Sequence, residues 1–591
     1  MIDFKQEIAK ILAQHVQGLT AEEIAPLVEV PADKSHGDYA FPCFRLAKTM
    51  RKAPQLIASE LAAAIGGAEL FEKVEPVNAF VNMFINKEFF VRSTLTEVFS
   101  KGSFFGSTDL GVGKKVIVEF SSPNIAKPFH IGHIRTTVIG NSLYKIFDFL
   151  GYDVVRINHL GDYGTQFGKM IVAYRHWGSK EEVEAEPIKT LLAYYVRFHE
   201  EAEKDPSLEE EARLAFAALE RGDEAETALW QWIRDESLKE FNRVYRMMDI
   251  DFDSWAGESF YSDKMPAVIE ELREKGLLVE SRGAQIVDLE PYGLTPAIIT
   301  KSDGTSIYLT RDLAAAIYRK KTYDFNKCIY VVASQQDLHF KQLFKVLELM
   351  GYGWAKDCIH VNFGMVSLPE GTLSTRKGRV VFLEDVLNTA VEKTRDIVLE
   401  KGVNAELIEE TAKTVGIGAV MFNELSASRI KDYTFDWDEV LNFDGETGPY
   451  VQYTHARCAS VLRNAEEKYG SLAEDEVDDS GAFRCGVSKV IARALEKADL
   501  STLTGPAAYD LVKELYEFPA VVIEAAAKYE PSVITRHIVD IAQSFNKFYH
   551  DEHIIVDDEE ERRAKLMLTA AAKQAIKNGL GLLGIKAPER M

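Results

Sequence analysis

Residues 115–158 constrain the fold most. KVIVEF (115–120) is a short apolar strand, followed by a loop carrying Pro123 and Pro128. The spacing then predicts a helix from about His130 to Leu150, and Gly151 stands where a helix C-cap is expected. DVVRIN (153–158) is a second strand. A strand, a loop, a helix and a strand in this order build a parallel sheet. Ligands of such sheets sit at the carboxyl ends of the strands, so the loop after KVIVEF is the first place to look for chemistry.

The rest of the chain adds to this unit. With 591 residues it is too long for one compact core, and two to four domains are expected. Residues 1–108 read as a small α/β unit, opened by an amphipathic helix and including a strand-like VNAFVNMFIN (77–86). Residues 109–440 form an α/β unit interrupted by a charged helical insertion at about 170–285. Strand-like runs return at GAQIVDL (283–289), PAIITK (296–301), CIYVVA (328–333), IHVNFGMV (359–366) and VVFL (380–383). Residues 441–591 carry helical periodicity throughout and read as an α-bundle. The expected class is multidomain α/β, with a Rossmann-type parallel sheet between a small α/β domain and an all-α domain.

A hydrophobic fraction of 46% and a charged fraction of 27% are those of a soluble globular protein. No apolar run reaches the roughly 18 residues that would suggest a membrane span. The start, MIDFKQEIAKILAQ, lacks the layout of a signal peptide, so cytoplasm is the expectation. The five cysteines are scattered without a CxxC pair, which argues against a cysteine-rich zinc site or a disulfide framework. The formal net charge of −23 weighs against nucleic acid only weakly, because a basic surface on one domain coexists with acidic faces elsewhere.

The loop after KVIVEF reads SSPNIAKPFHIGHIRTT (121–137), with His130 and His133 on roughly one face. Two histidines at this spacing serve a metal, a phosphate or packing. The metal reading lacks a third ligand, since no HExxH and no cysteine lies nearby. The phosphate reading draws on position. A helix N-terminus after a strand offers unpaired N–H groups to an anion, Gly132 permits close approach, and imidazole N–H groups donate to phosphate oxygens.

SPNIAKPFHIGH resembles the HIGH signature of class I aminoacyl-tRNA synthetases, and its surroundings are similar to those of the arginyl-tRNA synthetases. NHLGDYGTQFGK (158–169), SDGTSIYLTRDLAAA (302–316), SQQDLHFKQLF (334–344), STRKG (374–378) and GPYVQYTHARCASVL (448–462) resemble segments of that family in the same order. So do HGDYAFPCF (36–44) and the terminal GIKAPERM (584–591).

The resemblance implies an arginine–tRNA ligase. Such an enzyme activates L-arginine with ATP, releases pyrophosphate and esterifies the 3′-terminal ribose of an arginine-accepting tRNA. It implies that Lys127, His130, Gly132 and His133 meet ATP. The second family signature, usually KMSKS, is here GTLSTRKG (371–378), keeping Ser374 with Arg376 and Lys377 but not the usual lysines. Lys127 then compensates, because positive charge is needed near the α-phosphate whichever loop supplies it.

A bound guanidinium needs a carboxylate, because a buried unpaired cation is costly. Asp312, four residues after Tyr308, is the candidate, with Tyr308 packing beside it. Glu119 would meet the α-ammonium, while Asn124 and Gln336 would add polar contacts. His159, Gly161, Asp162, Gly164 and Gln166, just after DVVRIN, are expected near the pocket.

For tRNA the resemblance implies Tyr450, Tyr453, Tyr549 and Met591 at the anticodon, and Phe80 with Asn82 in the N-terminal domain, where exposed aromatics stack on unpaired bases. The N-terminal unit would then be the family's additional tRNA-binding domain, the middle unit catalytic and the last anticodon-binding. Magnesium is expected to arrive with ATP, with no dedicated protein metal site. No membrane partner is expected, and a monomer is the default.

Overall fold

The computed structural model describes residues 2–16, 18–301, 308–367, 381–400, 405–470 and 494–591. Its organising sheet has four strands: β4 (Lys115–Glu119), β5 (Asp153–Ile157), β9 (Lys327–Ala333) and β10 (Cys358–Phe363), in the order β10-β9-β4-β5. Every pair is parallel. The chain passes from β4 outward to β5 on one side and returns later to β9 on the other. The crevice where the order reverses therefore lies between β4 and β9, which is where ligands bind in open parallel sheets.

The helix Ile134–Phe149 covers this sheet. It sits close because Gly140 faces Phe120: a Cβ added at Gly140 would lie 2.1 Å from the Phe120 Cβ. Thr136 Oγ1 donates to the Val331 carbonyl at 2.7 Å, tying the helix to β9 as well. Gly151 follows with φ +86°, a backbone that favours glycine.

Most of the expected insertion is helical, with long helices Pro187–Ala202, Ser207–Glu220 and Glu224–Met247. The last of these supports the loop after β4. Tyr245 Oη lies 2.7 Å from Ser121 Oγ and accepts from Asn158 Nδ2 at 3.0 Å, and Ser237 Oγ accepts from the Ala126 N–H at 3.0 Å. Three strands, β6 (Leu278–Ser281), β7 (Ala284–Val287) and β8 (Ala297–Thr300), form a separate antiparallel sheet.

Two expected strands differ. VNAFVNMFIN is not one strand. It holds the end of β2 (Phe71–Val77), a turn at Asn78 and Ala79, and β3 (Phe80–Ile85). Asn78 takes φ +54°, a left-handed conformation that asparagine tolerates. Apolar residues on both sides of the turn concealed it in the sequence. β3 is the middle strand of a sheet with β2 and β1 (Tyr39–Pro42). The described part of VVFL, residues 381–383, is not a strand either: Phe382 makes one isolated bridge to His130, and the helix Leu383–Glu400 begins at once, while residue 380 lies outside the described residues.

The C-terminal part contains the long helices Gly448–Tyr469, Pro506–Lys528, Ser532–Asp551 and Glu559–Leu582. Aromatic packing docks the N-terminal domain on it, with Phe90 5.0 Å from Tyr516 and 5.5 Å from Tyr509. Among the described residues no helix is long and apolar enough to cross a membrane.

The Gly140–Phe120 contact generates a prediction. Gly140→Ala leaves no room for its methyl, so it lowers stability by about 1–3 kcal/mol or more in thermal or denaturant unfolding. Gly67→Ala, where nothing lies within 4 Å, changes stability by less than about 0.5 kcal/mol.

Candidate active site

The loop after β4 is held in an unusual backbone. Ser121, Ser122 and Ala126 have φ of +71°, +47° and +56°, costly values for residues with a Cβ. Hydrogen bonds hold it there. Ser121 N–H donates to Thr136 Oγ1 at 3.0 Å, and Ser121 Oγ lies 2.8 Å from Thr137 Oγ1. The loop is also laced to the end of β5: Gly161 N–H donates to the Pro123 carbonyl at 3.1 Å and Ile125 N–H to the Gly161 carbonyl at 3.2 Å. A side chain at Gly161 would strike Asn124, with its Cβ 2.4 Å from Asn124 Oδ1.

His130 and His133 lie side by side, ring centroids 4.0 Å apart. Gly132 N–H donates to His130 Nδ1 at 3.0 Å, and His130 N–H donates to His133 Nδ1 at 3.2 Å. An imidazole that accepts at Nδ1 carries its proton on Nε2. His130 therefore offers an Nε2–H donor, His133 Nδ1 lies 3.3 Å from the His130 carbonyl as well, and neither ring carries charge near neutrality. Burial pushes His130 down to about 4. Burial also pushes His133 down, to about 3, helped by His130 and by the positive charge of Lys127.

The segment beyond the second signature is bonded to this loop. Ile131 N–H donates to the Val381 carbonyl at 3.1 Å and Leu383 N–H to the Phe129 carbonyl at 2.9 Å. On its other side, β11 (Val366–Ser367) pairs with β12 (Tyr433–Thr434). The fully buried Arg135, two residues after His133, donates to the Gly364 carbonyl at 3.1 Å and the Lys431 carbonyl at 2.7 Å. Ser374, Arg376 and Lys377 lie outside the described residues, but the described residues on both sides of them are fastened to the histidine loop and its helix.

Asp312 enters on the helix Tyr308–Tyr323. His339 Nε2–H donates to its Oδ2 at 2.6 Å, and His159 Nε2 stands 3.8 Å from its Oδ1. Burial works to raise the Asp312 carboxyl. The His339 hydrogen bond and the charges of His339, His159 and Arg319 prevail and hold it below its ordinary value. The arginines of the same helix, Arg311 and Arg319, which the sequence places near enough to pair with Asp312, are engaged elsewhere: Arg311 with Glu258 at 3.2 Å, and Arg319 with Glu119. Glu119, read as the ammonium partner, is thus buried against a protein cation. Arg319 lies on the facing helix and gave no sequence signal for that pairing.

Two further acidic groups complete the cleft. Glu258 was not expected from the sequence. Burial pushes its carboxyl up to about 8; Arg311 pulls it down, Asp312 and Asp162 push it up, and Lys127 pulls it down. Lys127 thus acts electrostatically on both His133 and Glu258. Asp162 stands beside Glu258 and is turned into the protein. It is fully buried, accepting from Arg234 Nε at 3.1 Å and from Ser259 N–H and Oγ–H at 2.8 and 2.9 Å. It fixes the segment that carries Glu258. Gln336 is exposed at the end of β9, and Gly164 caps the helix Thr165–Trp177 with φ +131°, while Gln166 lies in that helix's first turn.

Comparison with known proteins decides the family. Residues 94–437 match the family model "tRNA synthetases class I (R), catalytic domain", 3–85 match "Arginyl tRNA synthetase N terminal domain", and 451–591 match "DALR anticodon binding domain". The chain is 57% identical over 591 residues, the whole of both chains, to a protein of Clostridioides difficile named arginine–tRNA ligase. The chain belongs to the arginyl-tRNA synthetases. It is accordingly a class I arginine–tRNA ligase. A second relative with that name, from Halothermothrix orenii, is 56% identical over the same full span. The solved arginyl-tRNA synthetase of Thermus thermophilus is similar at 26% identity with a TM-score of 0.76, covering all of both chains. That of Plasmodium falciparum has the same fold, with a TM-score of 0.72 at 23% identity over all of this chain and 98% of that one.

The residues assigned to tRNA through this family fall into two groups. On the Gly448–Tyr469 helix, Arg457 lies over the Tyr453 ring at 4.9 Å and over the Tyr549 ring, from the Ser532–Asp551 helix, at 5.3 Å. Tyr450 is drawn inward, accepting from Asn546 Nδ2 at 2.9 Å. Met591 ends the chain half-buried, beyond a tail whose Pro588 carbonyl is 2.8 Å from His455 Nδ1. In the N-terminal sheet Phe80 packs edge-on against the exposed Phe44 at 5.5 Å. Asn82 differs from expectation: it is 4% exposed in the middle strand, shielded by its neighbours there. The described residues also contain one cluster with metal-ligand spacing, Glu514, His537 and Asp540, in the C-terminal helices.

The neutral histidine pair fixes a pH dependence. An unfolded histidine takes up a proton near pH 6.5, whereas His130 and His133 resist until about 4 and 3. The unfolded chain therefore binds more protons below pH 6.5, and the pair contributes a loss of stability as pH falls from there toward those values. His133→Asn shows a shallower fall in Tm between about pH 7 and pH 5 than the parent chain. Equal slopes would show that His133 is not held neutral.

Proposed function

We propose that ATP lies across the crevice between β4 and β9, with its phosphates on the Nε2–H groups of His130 and His133, and that arginine is held at Asp312. The observation that carries this reading is the convergence of two neutral donor imidazoles and a half-buried, ionised carboxylate at the carboxyl ends of one parallel sheet.

Asp312 pairs with the guanidinium, and Tyr308, on the same helix, covers it. Glu119 touches Arg319 through Oε2 and offers Oε1 to the α-ammonium. Asn124 and Gln336 supply polar contacts from the loops after β4 and β9. The arginine carboxylate oxygen attacks the α-phosphorus and the bond to pyrophosphate breaks, leaving arginyl-adenylate. The Nε2–H donors stabilise charge on the phosphate oxygens without themselves changing charge, and Lys127 adds the cation beside them. Gly132 lets the nucleotide approach the backbone. Ser374, Arg376 and Lys377 complete the phosphate contacts from the second signature. A terminal ribose hydroxyl of tRNA then attacks the arginyl carbonyl and AMP leaves. Catalysis is positioning and charge stabilisation, with no covalent enzyme intermediate.

The tRNA meets Tyr453, Tyr549 and Arg457, where two aromatic faces and a cation form a stacking platform for anticodon bases, with Tyr450 and Met591 beside it. Phe80 offers a further aromatic in the N-terminal domain. Asn82 orders the strand beneath it. The functional division is 1–108, 109–440 and 441–591. A monomer in the cytosol, with magnesium delivered on ATP, completes the reading.

Pyrophosphate exchange tests it. Exchange into ATP depends on arginine among the amino acids, and is expected to require the cognate tRNA. Asp312→Asn raises the KM for arginine about 100-fold or more with little change in the KM for ATP, because it leaves a guanidinium without its carboxylate. Lys127→Ala lowers kcat more than either KM. Exchange driven by another amino acid, or an Asp312→Asn enzyme with the parent's arginine KM, would sink the assignment.

A further inference from the structure

We infer that His339 is a resident counter-cation of Asp312, and that its proton leaves when the arginine guanidinium takes its place. His339 is then a positioning residue that sets the pH range of arginine recognition. The inference rests on the reading of Asp312 as the guanidinium partner.

The geometry brings two cations to one carboxylate. A guanidinium binds a carboxylate through two parallel N–H groups, one to each oxygen. The Asp312 oxygen Oδ2 already accepts from His339 Nε2–H at 2.6 Å. On the other side, His159 Nδ1 lies 3.3 Å from Arg319 Nη2, which only donates. His159 accepts there and turns its Nε2 toward Asp312 at 3.8 Å, beyond hydrogen-bond reach. The hydrogen-bonded cationic partner of Asp312 is His339.

The groups around His339 come from every neighbouring element. Asp312 acts on it from the Tyr308–Tyr323 helix, Glu119 from the end of β4 and His360 from β10, while His159 and Arg319 act on Asp312 itself. On its own helix, Asp337 Oδ1 lies 3.3 Å from His360 Nδ1. Glu258 reaches the same carboxylate electrostatically. Burial works to lower His339, but the hydrogen bond and charge of Asp312, with the charge of Glu119, hold it above the ordinary histidine value.

Substrate guanidinium, Arg319 and a protonated His339 cannot crowd one half-buried carboxylate at low cost. Arginine side chains do not release protons in proteins, whereas imidazole does. The balance is therefore one arginine cation bound and one proton passed from His339 to solvent. Until then His339 keeps Asp312 from being a half-buried, unpaired anion.

The test is titration calorimetry of L-arginine into the full chain saturated with tRNA. It is run without ATP, in buffers of different ionisation enthalpy, from about pH 6 to about pH 8. The parent chain releases a proton on binding, up to about one per arginine at the acid end and fewer as pH rises. In aminoacylation the KM for arginine falls up to about 10-fold per pH unit through the same range, then flattens. His339→Gln and His339→Asn bind arginine without proton release and with a pH-independent KM. Glu258, the other group here that holds a proton near neutrality, is the control: Glu258→Gln retains the release.

Heats that do not vary with buffer overturn the inference. So does undiminished release from His339→Gln, or its disappearance in Glu258→Gln. If Asp312→Asn binds arginine like the parent chain, the pocket reading itself falls. If Asp312→Asn is crippled but the parent releases no proton, only the role of His339 falls.

Discussion

The close seat of the Ile134–Phe149 helix on the central strand governs the rest of the structure. Gly140 is the device, because the Phe120 ring occupies the space any larger residue would need. That contact sets the height of the helix N-terminus over the end of β4, and hence the position of His130 and His133. Thr136 and Thr137 anchor the strained loop from the same helix, and Arg135 ties it to the segments on either side of the second signature. The left-handed residues Ser121, Ser122 and Ala126 are tolerable only because these bonds over-determine them. A site that must place phosphate donors within a fraction of an ångström gains from such rigidity.

Charge inside the cleft obeys a different rule from charge on the whole chain. The chain carries −23 overall, yet in the cleft the ionised acidic side chains are matched to basic ones, Glu119 to Arg319, Asp162 to Arg234 and Asp312 to His339, while burial pushes Glu258, beside Arg311, toward its neutral form. Burial explains the matching, because an ion removed from water is tolerated only beside its opposite. The same burial removes charge from the two signature histidines and makes them neutral donors. Bulk charge therefore says little about how this protein handles an anionic nucleotide.

The insertion and the terminal domains are part of the same support. Tyr245 and Ser237 brace the loop after β4 from the insertion. Ser142 Oγ–H donates to the Leu582 carbonyl at 2.9 Å, joining the signature helix to the last long helix. Arg429 Nε donates to the Tyr529 carbonyl at 3.1 Å, and its Nη1 to Asn362 Oδ1 at 2.8 Å, so one side chain spans β10 and the C-terminal helices. The part expected to meet the anticodon is thereby fastened to the sheet that carries the chemistry.

Local patterns determined much of this from the sequence alone. The apolar runs KVIVEF and DVVRIN, the helix between them and Gly151 specify a parallel unit, because strand period, helix period and a left-handed cap are properties of neighbouring residues. The motif residues fall at strand ends for the same reason. What only the tertiary structure decided concerns partners distant in sequence. That His339 rather than Arg311 or Arg319 holds Asp312, that Glu119 faces Arg319, that Glu258 joins the cleft and that Asn82 is shielded all depend on how separate elements pack. The hairpin at Asn78 and the lone bridge at Phe382 were concealed because an apolar run looks the same whether it continues, turns or merely touches a neighbour. Periodicity is local and legible; the identity of a buried charge's partner is set by packing, and the sequence carries no local mark of it.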